Sequence, residues 1–246
     1  KHFAGITPLE AGYEKVKIDP QYTLSDSLNC TVPSVKGLIT LSYEKTSDNY
    51  VIDLTLPEGM KTIGANAFEG CSALISVDMP DSIKNIGDKA FYDCKKLKNI
   101  EFGKNLSEVG DSSFENCITL KSLDLPLSVT RIGDKAFFGC SKISSISYDE
   151  NTTMEIGLDA FSGTEWYSKL PQNEMIYFGK VLFSYTGTMP KNTTLKIKEG
   201  ISAIASGAIL NQKNLIEVTF PDSLLSIGNS AFSGCSNLST VKLTTG

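Results

Sequence analysis

The amino-acid sequence predicts a solenoid of stacked 23-residue coils, each made of a short parallel strand and a short helical turn. Three observations carry that expectation. Phe68, Phe91, Phe114 and Phe137 are spaced by 23 residues, and so are Cys71, Cys94, Cys117 and Cys140. Ahead of each phenylalanine stands an aliphatic–glycine pair: Ile63-Gly64, Ile86-Gly87, Val109-Gly110 or Ile132-Gly133. Earlier still come Leu56, Met79, Phe102 and Leu125, three of them followed by proline. Ile156-Gly157, Ala160 and Phe161 continue the pattern one residue late; Ile204, Ala208 and Ile209, then Ile227-Gly228, Ala231, Phe232 and Cys235, resume it.

One unit shows why each residue type is there. In the run Leu120 to Pro126 the alternation of Ser122-Leu123-Asp124-Leu125 suits a strand with one buried face. Pro126 has no N–H to donate and ends the ladder. Val129 and Ile132 return the chain to the core, Gly133 permits a corner, and Asp134 is placed to cap a single helical turn. Within that turn Ala136, Phe137 and Cys140 fall on one face. A lone unit cannot bury that face, whereas stacked units bury it against each other.

The string L-x-x-I-x-L-P followed by V-x-x-I-G-x-x-A-F-x-x-C closely resembles the BspA-like leucine-rich repeats of bacterial surface proteins; here it runs Leu74 to Cys94, Leu97 to Cys117 and Leu120 to Cys140. The resemblance covers about four-fifths of the chain. It implies a leucine-rich-repeat-type solenoid, a secreted or surface-anchored protein, and a role of the adhesion type.

Two regions depart from the repeat. Between Phe161 and Ile209 the phase advances by 48 residues where two units need 46, so one coil is replaced by something irregular. Met175 to Tyr185 reads as two strands joined by a Gly179-containing turn, an inserted β-hairpin within an irregular stretch near 164–194. Trp166 and Tyr167 just upstream make this the most aromatic stretch. It is read either as a sugar-stacking or partner-binding patch or as a hairpin that widens the solenoid and packs its aromatics inward, with the second reading preferred. Residues 1–50 do not follow the repeat. Val16 to Ile18, Leu38 to Tyr43 and Tyr50 to Leu54 alternate as strands, a β-rich cap or partial β-sandwich ahead of a solenoid over 51–246. The stretches Gly12 to Pro20, Thr31 to Ile39 and Leu56 to Gly59 resemble, more weakly, the C-terminal β-sandwich of bacterial α-L-rhamnosidases. That implies a C-terminal piece of a secreted carbohydrate-related protein. Lys1 suggests a mature or trimmed start, and the unit begun near Leu243 suggests that more repeats or a cap follow.

Composition narrows the function classes. The 246 residues are 41% apolar and 21% charged with a net charge of −5, without an apolar run that spans a bilayer and without a Lys/Arg cluster. Nucleic acid is therefore not the expected partner. The single histidine, His2, sits beside the terminus, so histidine-based triads and multi-histidine metal sites are not available. No cofactor motif is present. Four of the six cysteines repeat with the coil period, unlike a zinc or redox motif, and Thr164 and Gln212 stand at that position in other coils. They are read as buried thiols in a core slot, while neighbouring coils would also allow disulfides. Asn29-Cys30-Thr31 and Asn192-Thr193-Thr194 match glycosylation sequons, which weigh little in a bacterial chain.

The outward strand position holds Thr55, Asp78, Glu101, Asp124 and Ser147, then Lys196, Thr219 and Lys242; Asp53, Ser76, Asn99, Ser122 and Ser145 share its face. Stacked carboxylates raise a glycosidase pair or a calcium site, but no surrounding ligands accompany them, and a solvated acidic ladder is the preferred reading. The expectation is a noncatalytic, monomeric, extracellular or cell-surface module that recognises a protein or glycan partner. Its candidate contact residues are Asp78, Glu101, Asp124, Trp166, Tyr177 and Tyr185. The alternatives are an accessory region of a carbohydrate-active enzyme or a structural spacer.

Overall fold

A computed structural model describes residues 6–8, 14–18, 39–45 and 50–244, with side chains from Asp53 onward. From Tyr50 the chain winds as a solenoid whose coils each contribute two strands rather than one. The longer strands, Tyr50–Thr55, Leu74–Asp78 and Asn99–Glu101, pair in parallel, and Ser122–Asp124 pairs in the same sense with Ser145–Ser147. A second parallel ladder is made of two-residue strands, Thr62–Ile63, Asn85–Ile86, Glu108–Val109, Arg131–Ile132 and Glu155–Ile156. These end in the aliphatic residue of the aliphatic–glycine pair, which the single-strand expectation assigned only to a return path.

The strands expected in the N-terminal segment form at Glu14–Ile18, Ile39–Lys45 and Tyr50–Thr55, preceded by Ile6–Pro8. They pair antiparallel in sequence order. Tyr50–Thr55 then pairs in parallel with Leu74–Asp78, so one sheet runs from the N-terminal strands into the repeats. His2, Cys30 and the Asn29 sequon lie outside the described residues.

The core is a set of columns, one per repeat position. Phe68, Phe91, Phe114, Phe137 and Phe161 are buried and stack face to face, with centroids 5.1, 5.0, 5.2 and 5.6 Å apart. Each core aromatic side chain removes on the order of 150–250 Å² from water, which makes this column a principal source of cohesion. Alanine occupies the neighbouring column at 67, 90, 136 and 160, where a larger side chain would crowd the rings.

The expected helical turn is a different structure. Lys135 has φ 54° and Gly139 φ 71°, left-handed values that interrupt an α-helix. The N–H groups alternate between two kinds of partner. Ala136, Phe138 and Cys140 donate three residues back within the coil, while Lys135, Phe137 and Gly139 donate to Leu158, Ala160 and Ser162 of the next coil. Asp134 accordingly caps no helix; its carboxylate accepts the Leu158 N–H of the next coil at 2.7 Å. Gly133 is needed for a reason other than a corner. Its φ is not left-handed, but a Cβ there would lie 2.6 Å from the Asp111 backbone nitrogen, so glycine lets adjacent coils approach.

Four cysteines, Cys94, Cys117, Cys140 and Cys235, are free and buried as expected. Cys71 departs from that expectation and is disulfide-bonded. It stands in the first of the repeat turns, before which the sequence offers no repeat coil to receive its thiol.

Candidate binding surface

Register along the longer-strand sheet decides which outward residues meet. Thr55 pairs with Asp78, Asp78 with Glu101, and Asp124 with Ser147. Asp78, Glu101 and Asp124 are all exposed, on strands that a sheet spaces by roughly 4.8 Å. One strand position earlier on the same face, the exposed Asp53 carboxylate accepts a hydrogen bond from the Ser76 hydroxyl. Among the described residues no group of three or more His, Cys, Asp or Glu side chains is placed to hold a metal ion.

Beyond the insertion the same kind of sheet resumes as Thr193–Lys196, Leu215–Phe220 and Thr240–Leu243. Lys196 pairs with Thr219 and Thr219 with Lys242, so the outward position turns basic here, as the sequence pattern anticipates. Lys242 binds the Glu217 carboxylate at 2.7 Å; both are partly solvated, so this pair adds little to stability.

The hairpin forms at Met175–Phe178 and Val181–Tyr185, with Gly179 at φ 60° in its turn. Val181 and Leu182 pair in parallel with Ala203 and Ile204, so the hairpin belongs to the ladder of two-residue strands. It reaches toward the basic half of the other sheet through Tyr177, whose hydroxyl accepts the Lys198 N–H at 3.4 Å. A four-residue helix, Glu165–Ser168, precedes it, capped by Thr164, whose hydroxyl accepts from the Tyr167 N–H at 3.0 Å. Thr164 stands at the cysteine position of its coil, which explains how a buried polar residue is tolerated there.

The aromatic candidates lie half-buried around this insertion. Trp166 sets its edge against Phe161, centroids 5.7 Å apart at 69°, and against Phe178 at 6.1 Å. Phe178 is buried and stacks on Phe161 at 5.9 Å, which continues the phenylalanine column where the repeat itself fails. Tyr177 and Tyr185 each keep part of their surface in water. Burial pushes both hydroxyls' acidity down, raising their pKa above the ordinary tyrosine value, and the Lys198 N–H opposes that for Tyr177. Most of the aromatic surface is thus spent on packing, and the acidic candidates lie on strands of other sheets than Tyr177 and Tyr185, with Trp166 on the short helix.

Two repeat-lined features escaped the sequence pattern. Asp88, Asp111 and Asp134 form a ladder in which Asp88 accepts the Asp111 N–H and Asp111 accepts the Asp134 N–H, at 2.8 and 3.0 Å. Arg131, the only arginine of the chain, joins it through Asp111 at 2.8 Å. The second feature is a pocket of about 240 Å³ between the hairpin and the turn of the preceding coil. The 23-residue spacing of the aspartates is a legible signal; the pocket has only the two-residue phase excess.

Comparison with known proteins agrees with the repeat geometry. The model of the BspA type leucine rich repeat region matches in six copies over residues 61–190 and 154–246. The bacterial α-L-rhamnosidase C-terminal domain matches residues 5–63. No curated protein matches. Among solved structures, the chain is similar to the T. pallidum leucine rich repeat protein, with 25% identity, 81% of this chain and 88% of that one covered, and a TM-score of 0.48. A leucine-rich repeat protein from Bacteroides ovatus is 20% identical over 85% and 76% of the two chains, TM-score 0.41. The pneumococcal vaccine antigen PcpA is 17% identical over 83% and 68%, TM-score 0.41. With the repeat model spanning most of the sequence, the chain belongs to the BspA-type leucine rich repeat family.

Proposed function

We propose that the chain is a noncatalytic module, secreted or displayed at a bacterial cell surface, that recognises a protein or glycan partner through the exposed face of its longer-strand sheet. The observation that carries this reading is the row of exposed carboxylates at one repeat position, Asp78 and Glu101 paired in register and Asp124 at the equivalent position one coil on. They take part in no ion pair among the described residues, so they are free to meet an outside group. A broad strand face without connecting loops is the surface repeat proteins commonly use. The basic outward residues Lys196 and Lys242 further along give the face a charge gradient that would orient a partner.

The test is an array of cell-surface glycans and surface proteins probed with the protein and with the triple change Asp78→Ala, Glu101→Ala, Asp124→Ala. The triple variant should keep its stability within about 1–2 kcal/mol, because exposed charges contribute little to folding. Any partner bound by the parent should bind it more weakly and with a shallower salt dependence. Unchanged binding would reduce the sheet face to scaffold. The rhamnosidase-like match over 5–63 favours a second reading, an accessory region of a carbohydrate-active enzyme. Binding confined to glycans, with no protein partner, would support it.

A further inference from the structure

The turn of every regular coil hands three N–H groups to the coil that follows. Asn66, Phe68 and Gly70 donate to Asp88, Ala90 and Tyr92; Ser112, Phe114 and Asn116 donate to Asp134, Ala136 and Phe138. The pattern holds again after the insertion, where Gly207, Ile209 and Asn211 donate to Asn229, Ala231 and Ser233. The equivalent donors of the coil before the insertion are Asp159, Phe161 and Gly163, and none of the three has a hydrogen-bond partner among the described residues. The chain that should supply their carbonyl oxygens has been diverted into the hairpin. Phe161 is fully buried, and a buried backbone donor left unpaired costs about as much as a lost hydrogen bond.

Asp159 and Phe161 line the pocket of about 240 Å³, and the exposed Gly163 follows its Ser162 wall in the chain. Asp159 and Phe161 form one wall; Tyr167, Phe183, Tyr185 and Gln212 are among the residues of the others. The amide of Gln212 is already used, accepting from Met189 N–H and donating to Gly187 C=O, both at 2.9 Å. The backbone donors of Asp159 and Phe161 therefore remain unmet in the lining, beside the Tyr167 and Tyr185 hydroxyls.

We propose that this pocket binds a short extended peptide segment of a partner protein, whose alternate carbonyl oxygens take the three N–H groups of Asp159, Phe161 and Gly163 as the next coil does elsewhere. Two features of the geometry select a peptide. Consecutive Cα atoms are about 3.8 Å apart, so donors on three alternate residues are spread wider than one phosphate or carboxylate can reach. A peptide chain offers acceptors at the matching interval, the main-chain recognition by which strands add to sheets. Because Phe178 already continues the phenylalanine column on Phe161, the incoming segment needs no aromatic residue of its own. Small residues fit, with Tyr167 and Tyr185 flanking them. This site is separate from the carboxylate face and stands or falls independently of it.

The experiment follows backbone amides by NMR. In the free protein the Phe161 amide should exchange with solvent about a hundredfold faster than that of Phe137, whose donor is paired. The capped peptide Ac-Gly-Ser-Ala-Ser-Ala-Gly-NH2 at millimolar concentration should shift the Asp159, Phe161 and Gly163 amides saturably and slow Phe161 exchange. Leu210→Trp, at the exposed rim, should block the pocket and remove those shifts while Phe137 stays protected. Equal protection of Phe161 and Phe137 in the free protein would overturn the proposal. So would shifts that persist in Leu210→Trp, or shifts confined to the Ser230, Phe232 and Gly234 amides of the last described coil. A response to chito- or cello-oligosaccharides without one to the peptide would assign the pocket to carbohydrate instead.

Discussion

The Cys117 thiol donates to the backbone carbonyl of Phe91, 26 residues earlier in the chain, at 3.2 Å. Cys94 does the same to Phe68, Cys140 to Phe114 and Cys235 to Ile209. The cysteine position is thus a small apolar slot whose one weak donor reaches a carbonyl of the neighbouring coil, which accounts for its recurrence with the repeat.

Burial in that slot makes Cys94 and Cys117 poor nucleophiles. Burial pushes the Cys94 thiol up to about 12 and raises Cys117 well above the ordinary range. Titration of unreduced, denatured protein should find at least the four thiols free here, while native protein near pH 8 should label very slowly. Fewer than four would contradict the slot. An exposed thiol ionises near 8.5, and the folded Cys94 and Cys117 thiols only well above it. Unfolded chains therefore lose protons first, and this contribution to stability is full below about pH 8.5 and declines as pH rises toward 12. Thermal melts over that range check the sign.

Phe114 is buried between Phe91 and Phe137, at 5.0 and 5.2 Å, with Phe102 edge-on at 6.0 Å. Phe114→Ala should cost about 3–5 kcal/mol in denaturant titration, as core aromatic truncations do. A loss below about 1 kcal/mol would place the ring outside the core.

Ser113 stands in the alanine column, buried, and its hydroxyl has no hydrogen-bond partner. Ser113→Ala should raise stability by about 1 kcal/mol, because it removes a desolvated, unpaired group and matches the shape of its neighbours. A destabilised variant would mean that the hydroxyl is satisfied.

Gly133→Ala should destabilise by about 1–3 kcal/mol, since the added methyl meets the Asp111 and Gly110 backbone, which cannot swing away, as well as the Asp111 carboxylate. Substitution at Gly59 offers the contrast: nothing lies within 4 Å of a Cβ there, and the penalty comes from its φ of 89° alone. Melting of both variants separates close approach from backbone strain.

The columns were legible because each core slot repeats one residue type in most coils, and Phe91, Ile86 and Cys94 advertise their burial by period alone. The second strand of each coil was not, because two residues such as Arg131–Ile132 are too short for alternation to register. The turn resembled a helix because Ala136, Phe137 and Cys140 have helical spacing; the left-handed Lys135 that rules one out is not a glycine and gives no warning. At the candidate surface the carboxylates of Asp78 and Glu101 were readable from period-2 alternation. The unpaired donors at Asp159, Phe161 and Gly163 were not, since a backbone N–H carries no mark in a sequence.

The interrupted turn ladder also has a mechanical meaning. Elsewhere neighbouring regular coils are laced by three turn bonds as well as the ladder of two-residue strands, so tension applied along the axis is shared by many short links. Between Gly163 and the coil of Ile204 those three links are missing, and the two-residue-strand ladder changes from Glu155–Ile156 to the hairpin. In a nearest-neighbour array the weakest interface sets where force is released. Pulled from its ends, the rod yields at this joint, and its two halves come apart as blocks before either unravels.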